Sequence, residues 1–119
     1  MSYDIYLNDP VTGDVLEAAQ PHQMTGGTYQ VGGTAELWLN VTYNYIEHFR
    51  RVLDTEKGIR VIYGMTGAES APLLVRAIEL LDTNTSDDYW EATEGNARRA
   101  LCGLLAMAQM RPDGVWGGD

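Results

Sequence analysis

The chain has 119 residues and a formal net charge of −9, from 17 acidic and 8 basic side chains. This excess of acids argues against a protein that coats duplex nucleic acid or binds an anionic membrane surface. A single cysteine excludes an internal disulfide and a cysteine zinc site. No stretch is apolar enough to cross a bilayer, so we expect one cytoplasmic domain over residues 1–119, β-rich over 1–44 and helical over 45–119.

The chain opens with a predicted hairpin. Residues 3–7 alternate apolar and polar side chains, as a half-buried strand does. Residues 8–14 are rich in turn-forming Asn, Asp, Pro and Gly, and residues 15–17 read as the returning strand.

Further on, residues 28–31 suit a short strand, with Gly32 and Gly33 as a hairpin turn. A phosphate-binding loop is the alternative for these glycines, but no nucleotide-binding fingerprint accompanies them.

Residues 35–53 carry two overlapping patterns. Apolar alternation favours a strand up to about Asn40, while polar residues at helical spacing favour a helix through Leu53. Asn44 and Glu47 have the spacing of a capping box, which places the helix start near Asn44.

The second half is predicted to be helical. Residues 59–64 are a short strand or a buried connector. Thr66 and Glu69 form a capping box ahead of a helix over 70–82, residues 83–88 are a polar linker, and Thr93 caps a last helix. Pro112 and Gly114 end that helix. The fold class is therefore α+β, with a small N-terminal antiparallel sheet packed by about three helices.

No constellation of residues predicts catalysis, a metal or a cofactor. His22 and His48 lie 26 positions apart without acids or cysteines at ligand spacing, and they are expected at the surface. Asp87 and Asp88 lack calcium-loop spacing. Cys102 lies beside the apolar stripe of the last helix, which is typical of an inert buried thiol. We therefore expect a protein that is not an enzyme.

Three features have side chains suited to a ligand. A run of amides, a hydroxyl and phenols crowds the predicted strand-to-helix junction; it reads a polar ligand by directed hydrogen bonds, or it caps the helix. Aromatic residues flank the last helix, to stack on a base or to pack in the core. Arginines could clamp phosphate or remain solvated. The candidate ligand-binding residues are Asn40, Thr42, Tyr43, Asn44, Arg60, Tyr89, Trp90 and Arg98.

Several segments spread over nearly the whole chain are distinctive. They are DPVTG (9–13), GGTY (26–29), GGT (32–34), NVTYNY (40–45), YGMTGAES (63–70), DYWEAT (88–93), Asn96 and RPDGVW (111–116). Together they resemble an uncharacterised family of small phage and prophage proteins. The resemblance implies expression in the cytoplasm of a bacterial host. It carries no established activity, and it makes the Asn-Val-Thr-x-Asn element at 40–44 the first place to examine.

Two functions fit these observations. The first is a non-enzymatic phage protein that counters host defence by sequestering a nucleotide-derived immune signal, within one chain or across a homo-oligomer interface; Trp90 or Trp116 would stack, and Arg60 or Arg98 would hold phosphate. The alternative is an acidic inhibitor of a host defence complex, of the anti-CRISPR or DNA-mimic type. The net charge of −9 opposes an anionic ligand, whereas the acids are too scattered for a dense carboxylate ladder.

Overall fold

The computed structural model describes residues 1–22, 28–29 and 34–119. The strands are β1 (Ser2–Asn8), β2 (Glu17–His22), β3 (Thr28–Tyr29), β4 (Thr34–Glu36), β5 (Trp38–Thr42) and β6 (Val115–Gly118). The helices are α1 (Ile46–Val52), α2 (Gly67–Leu80) and α3 (Glu94–Met110), and 3₁₀ turns cover Tyr43–Tyr45 and Gly58–Ile62. The predicted α+β class is confirmed. No helix among these residues is long and apolar enough to cross a membrane.

The main sheet has the strand order β3-β5-β1-β6, with antiparallel neighbours. In β1 the side chains of Tyr3, Ile5 and Leu7 are buried, and the residues between them are half-buried. This alternation matches the sequence pattern, because successive side chains of a strand point to opposite faces of the sheet. The buried face packs against the helices, so β1 lies at the centre of both the sheet and the core.

The predicted turn after β1 is confirmed, but its returning strand is only partly right. The Asp9 carboxylate accepts hydrogen bonds from the backbone of Val11 and Thr12 at 2.8 and 3.0 Å, and Gly13 has a φ of +79°. An isolated bridge joins Asn8 to Val15. The chain then leaves the main sheet, and β2 pairs with β4 in a separate two-stranded sheet. The reason is that β5 and β6 occupy both edges of β1. The predicted turn at residues 32–33 lies outside the described residues.

Helical structure begins near Asn44, as predicted, but the capping box predicted for Asn44 and Glu47 is wrong. The hydroxyl of Thr42 accepts the backbone N–H of Asn44 at 3.2 Å and caps the first 3₁₀ turn, and α1 follows from Ile46. The buried connector predicted at 59–64 is a 3₁₀ turn rather than a strand, with Ile59 and Ile62 in the core. The Asn44 side chain therefore does not cap the helix and is available for a different contact.

Both later helices begin where their caps predict. Thr66 and Glu69 form a complete capping box at α2, and the Thr93 hydroxyl accepts the backbone N–H of Asn96 at α3. The two helices pack against each other and close the core beneath the main sheet. After α3 the chain returns as β6, whose Trp116 is 2% exposed and donates its indole N–H to Ser70 at 2.7 Å. For this part of the chain the sequence predicted the end of the last helix but not the strand β6.

Candidate functional site

The first 3₁₀ turn divides the predicted ligand-binding residues between two places. In a 3₁₀ turn adjacent side chains point about 120° apart, because there are three residues per turn. Tyr43 accordingly contacts Arg60, whereas Asn44 donates its amide N–H to the backbone carbonyl of Trp90 at 2.7 Å. Thr42 is 1% exposed and serves as the cap. The residues grouped by sequence therefore do not form one pocket.

On the Tyr43 side, three phenols surround one guanidinium. We call Tyr3, Tyr43, Arg60 and Tyr63 the tyrosine–arginine cluster. The Arg60 guanidinium carbon lies 4.8 Å from the ring centre of Tyr3 and 5.8 Å from that of Tyr43. Arg60 also donates from Nη2 to the Tyr43 hydroxyl at 3.2 Å, and the Tyr3 and Tyr43 rings meet edge to face at 4.6 Å. Arg60 lies in the second 3₁₀ turn, Gly58–Ile62, far from β1 in the sequence. The fold, and not the local sequence, therefore brings Arg60 to Tyr3.

The phenols of Tyr3 and Tyr63 keep their protons at neutral pH. Burial raises the pKa of Tyr63 to about 12 and also raises that of Tyr3, although the positive charge of Arg60 opposes both shifts. Tyr3 is 2% exposed, and among the described residues no hydrogen bond reaches its hydroxyl. A buried hydroxyl without a partner is uncommon, because it loses its hydrogen bonds to water on folding. The cluster is therefore rich in hydrogen-bond donors.

The second place is the segment of residues 86–93 before α3, which we call the Trp90 loop. It is organised from inside by Asn96, which is fully buried in the first turn of α3. The Asn96 amide N–H groups donate to the carbonyls of Asp88 and Glu91 at 3.0 Å each, and its side-chain oxygen accepts the Ser86 N–H at 3.1 Å. One side chain thus satisfies three backbone groups of a loop that has no regular secondary structure.

The Trp90 loop is also held from outside by a row of side chains at or near α1. Residues 44, 48 and 51 follow one another at helical spacing and lie along one side of the helix. The contacts to the loop run from Asn44 to the Trp90 carbonyl, from the Tyr45 hydroxyl to the Tyr89 carbonyl, and from His48 Nε2 to the Ala92 carbonyl at 2.8 Å. Just after the loop, Arg51 contacts Glu94 at the start of α3 at 2.9 Å. The loop backbone is consequently fixed on two sides.

Trp90 remains 46% exposed despite this fixed backbone. Its ring centre lies 4.7 Å from that of Tyr89, which is half-buried. The side chains of Asp87, Asp88 and Glu91 on the same loop are exposed. Within the described ranges, no group of three or more acidic, histidine or cysteine side chains is arranged to hold a metal ion. The loop therefore presents one large exposed aromatic side chain, and acidic residues precede and follow it in the sequence.

Other predicted residues have structural partners. The Asn40 amide donates to Ser2 Oγ and Asp4 Oδ1, each at 2.7 Å, across the outer face of the sheet. Arg98 donates from Nε to the carbonyl of Ile78 at 3.3 Å, at the end of α2. Trp116 is buried, so Trp90 is the exposed one of the two tryptophans considered for stacking on a ligand.

Three residues of these places are not predicted from the sequence: Tyr3, Tyr63 and Asn96. Tyr3 and Tyr63 lie in segments whose pattern predicts only a strand or a connector, and no spacing links them to Arg60. Asn96 did carry a signal, since a polar amide three residues after a helix cap, at the start of an apolar stripe, is suited to satisfying backbone groups of the preceding loop.

These two places, the tyrosine–arginine cluster and the Trp90 loop, are the candidate functional sites. The chain was compared with protein-family models, with curated proteins and with solved structures, and none of the three comparisons gave a match.

Proposed function

We propose that this chain is a non-catalytic binding protein that docks on a basic surface of a partner protein through the Trp90 loop. The observation that carries the proposal is the exposure of Trp90, 46%, on a backbone fixed by Asn96 and by the row along α1. Large aromatic side chains are the commonest energetic anchors of protein interfaces, and they contribute most when little conformational freedom is lost on binding. Of the two functions that the sequence allows, the inhibitor is the one this geometry favours.

Charge defines the kind of partner. The exposed acids of the loop and the net charge of −9 attract a positively charged surface and speed its approach. Trp90 supplies the short-range contact, so binding of the partner does not require a dense carboxylate ladder. The resemblance to phage proteins suggests that the partner is a component of a bacterial host defence system, which is part of the proposal.

The test measures binding of an identified partner. Proteins captured from a bacterial host lysate are identified by mass spectrometry, and each is purified and titrated against the chain. Trp90→Ala should weaken binding of the true partner at least tenfold, whereas Leu80→Ala, which truncates another exposed apolar side chain, should leave it unchanged. Asp87→Asn together with Asp88→Asn should slow association and reduce its dependence on salt.

The docking proposal fails if Trp90→Ala and Leu80→Ala bind the identified partner as tightly as the unaltered chain. It also fails if every protein that binds through the loop is acidic, because the charge argument would then be wrong.

Sequestration of a nucleotide-derived signal is the second candidate. Its support is the contact between Tyr43 and Arg60, two of the predicted ligand-binding residues. Asn44 is an unsuitable member of that site, because its amide already binds the Trp90 carbonyl. A thermal-shift panel of cyclic and linear nucleotides and ADP-ribose derivatives tests this function. A saturating ligand at 100 times its dissociation constant adds about 2.7 kcal/mol to the free energy of unfolding, so no shift across the panel contradicts it.

A further inference from the structure

We propose that the tyrosine–arginine cluster is an oxyanion site that takes the phosphate of a phosphomonoester, with Arg60 and Tyr63 as its principal donors. This inference rests on the second candidate function and narrows its ligand; it is independent of docking through Trp90.

The donors of the cluster already converge on an oxygen atom. Arg60 Nε donates to the backbone oxygen of Asp119 at 2.8 Å, and the Tyr63 hydroxyl donates to the same oxygen at 3.2 Å. Two donors from one short segment thus meet at one acceptor position. A phosphate oxygen is anionic, and a guanidinium makes charge-assisted hydrogen bonds to such an oxygen, so this pair of donors suits phosphate.

Further donors surround that position. A guanidinium has five N–H groups, and the hydrogen bonds of Arg60 in the described part of the chain use Nε and Nη2. The Tyr43 hydroxyl accepts from Arg60, and a phenol O–H is also a hydrogen-bond donor. The buried Tyr3 hydroxyl, which has no hydrogen bond among the described residues, adds a donor whose burial is otherwise unexplained. The phenols of Tyr3 and Tyr63 stay protonated at neutral pH, because burial raises the pKa of both.

The local charge suits one phosphate and not a polyphosphate. Arg60 and Arg50 both act on Tyr3 as positive charges, and Arg60 contributes the cation of the cluster itself. On the other side, Asp119 acts on Tyr63 as a negative charge. With a single guanidinium in contact with the acceptor position, the favourable ligand is a phosphomonoester with one terminal phosphate.

Gly118 offers a way to disturb the acceptor position without removing a donor group. A Cβ atom added at Gly118 would lie 2.2 Å from the Asp4 carbonyl oxygen and 2.7 Å from the Tyr63 hydroxyl. Gly118→Ala therefore crowds the Tyr63 hydroxyl and should weaken phosphate binding. The matched control is Gly117→Ala, whose Cβ would meet only the flexible end of Asn8 at 3.0 Å.

The experiment is calorimetric titration of the whole chain with inorganic phosphate, AMP and adenosine. We expect AMP and phosphate to bind and adenosine not to bind. Arg60→Ala should weaken AMP binding at least tenfold, and Tyr63→Phe severalfold, whereas Arg76→Ala, which removes the same charge from an exposed position in α2, should have no effect. Gly118→Ala should weaken binding, and Gly117→Ala should leave it unchanged.

Each failure has its own meaning. If the unaltered chain binds neither phosphate nor AMP, the oxyanion site is wrong and the second candidate function loses its support. If AMP binds equally well to Arg60→Ala and Tyr63→Phe, or adenosine binds as well as AMP, the assignment to this cluster is wrong while nucleotide binding stands.

Discussion

Asn96→Ala is the sharpest test of how the Trp90 loop is built. The substitution removes the one side chain that satisfies the Ser86 N–H and the carbonyls of Asp88 and Glu91, at 3.0–3.1 Å. Each such hydrogen bond contributes about 1 kcal/mol net, so the three together contribute about 3 kcal/mol. Asn96 is fully buried, and water does not replace it unless the loop opens. For 119 residues, that loss lowers the melting temperature by about 12 °C.

The assay combines calorimetric melting with acrylamide quenching of tryptophan fluorescence. Trp90 is the most exposed of the three tryptophans, so a loosened loop should make it still easier to quench. Asn84→Ala, at an exposed position of the preceding linker, is the matched control and should change stability by less than about 0.5 kcal/mol.

Asn96→Asp separates the hydrogen bonds from the loss of volume. It preserves the shape and the acceptor for Ser86, but it places a carboxylate oxygen against two carbonyl oxygens. At neutral pH it should destabilise at least as much as Asn96→Ala, and it should recover partly as acid protonates the new carboxylate. A loss below about 1 kcal/mol for both variants would refute the idea that Asn96 organises the loop.

Three further predictions follow from individual contacts. Ser70→Ala leaves the buried Trp116 indole N–H without its acceptor and should lower the free energy of unfolding by about 2 kcal/mol in urea melts; an unchanged midpoint would contradict this. Tyr3→Phe should leave stability unchanged or raise it, because its hydroxyl has no partner among the described residues; a loss above 1 kcal/mol would reveal one. Backbone hydrogen bonds lower the pKa of Glu69 and Glu94 in the folded chain, so the unfolded state binds their protons first and stability should fall as pH drops below about 5; Glu69→Gln should flatten that fall.

The candidate site was predictable only in part. Tyr43 and Arg60 were both singled out from the sequence and do contact each other, and Trp90 is exposed as a binding residue must be. Asn44 and Arg98 were also singled out, yet both donate to backbone carbonyls. Their residue types suit either use, and the choice depends on which carbonyls lie nearby. That information is absent from any local stretch of sequence.

The sequence by itself determined the features that depend on contacts within a few residues. The turn after β1 forms because the Asp9 carboxylate binds N–H groups two and three positions later. The helices α2 and α3 begin at Thr66 and Thr93 because each hydroxyl caps an N–H three positions on. Such contacts close only short loops, so they cost little chain entropy and can form before the rest of the chain folds. Short sequence patterns are therefore enough to predict them.

The tertiary structure decided the features that join distant residues. Strand β1 lies between β5 and β6, although the sequence favoured a local hairpin partner for it. Arg60 meets Tyr3 and Tyr43, and Asn44 meets Trp90, across separations of 17 to 57 positions that no periodicity encodes. These contacts form only when burial of the common core outweighs the entropy of ordering the intervening chain, so they depend on the whole fold and not on any one segment.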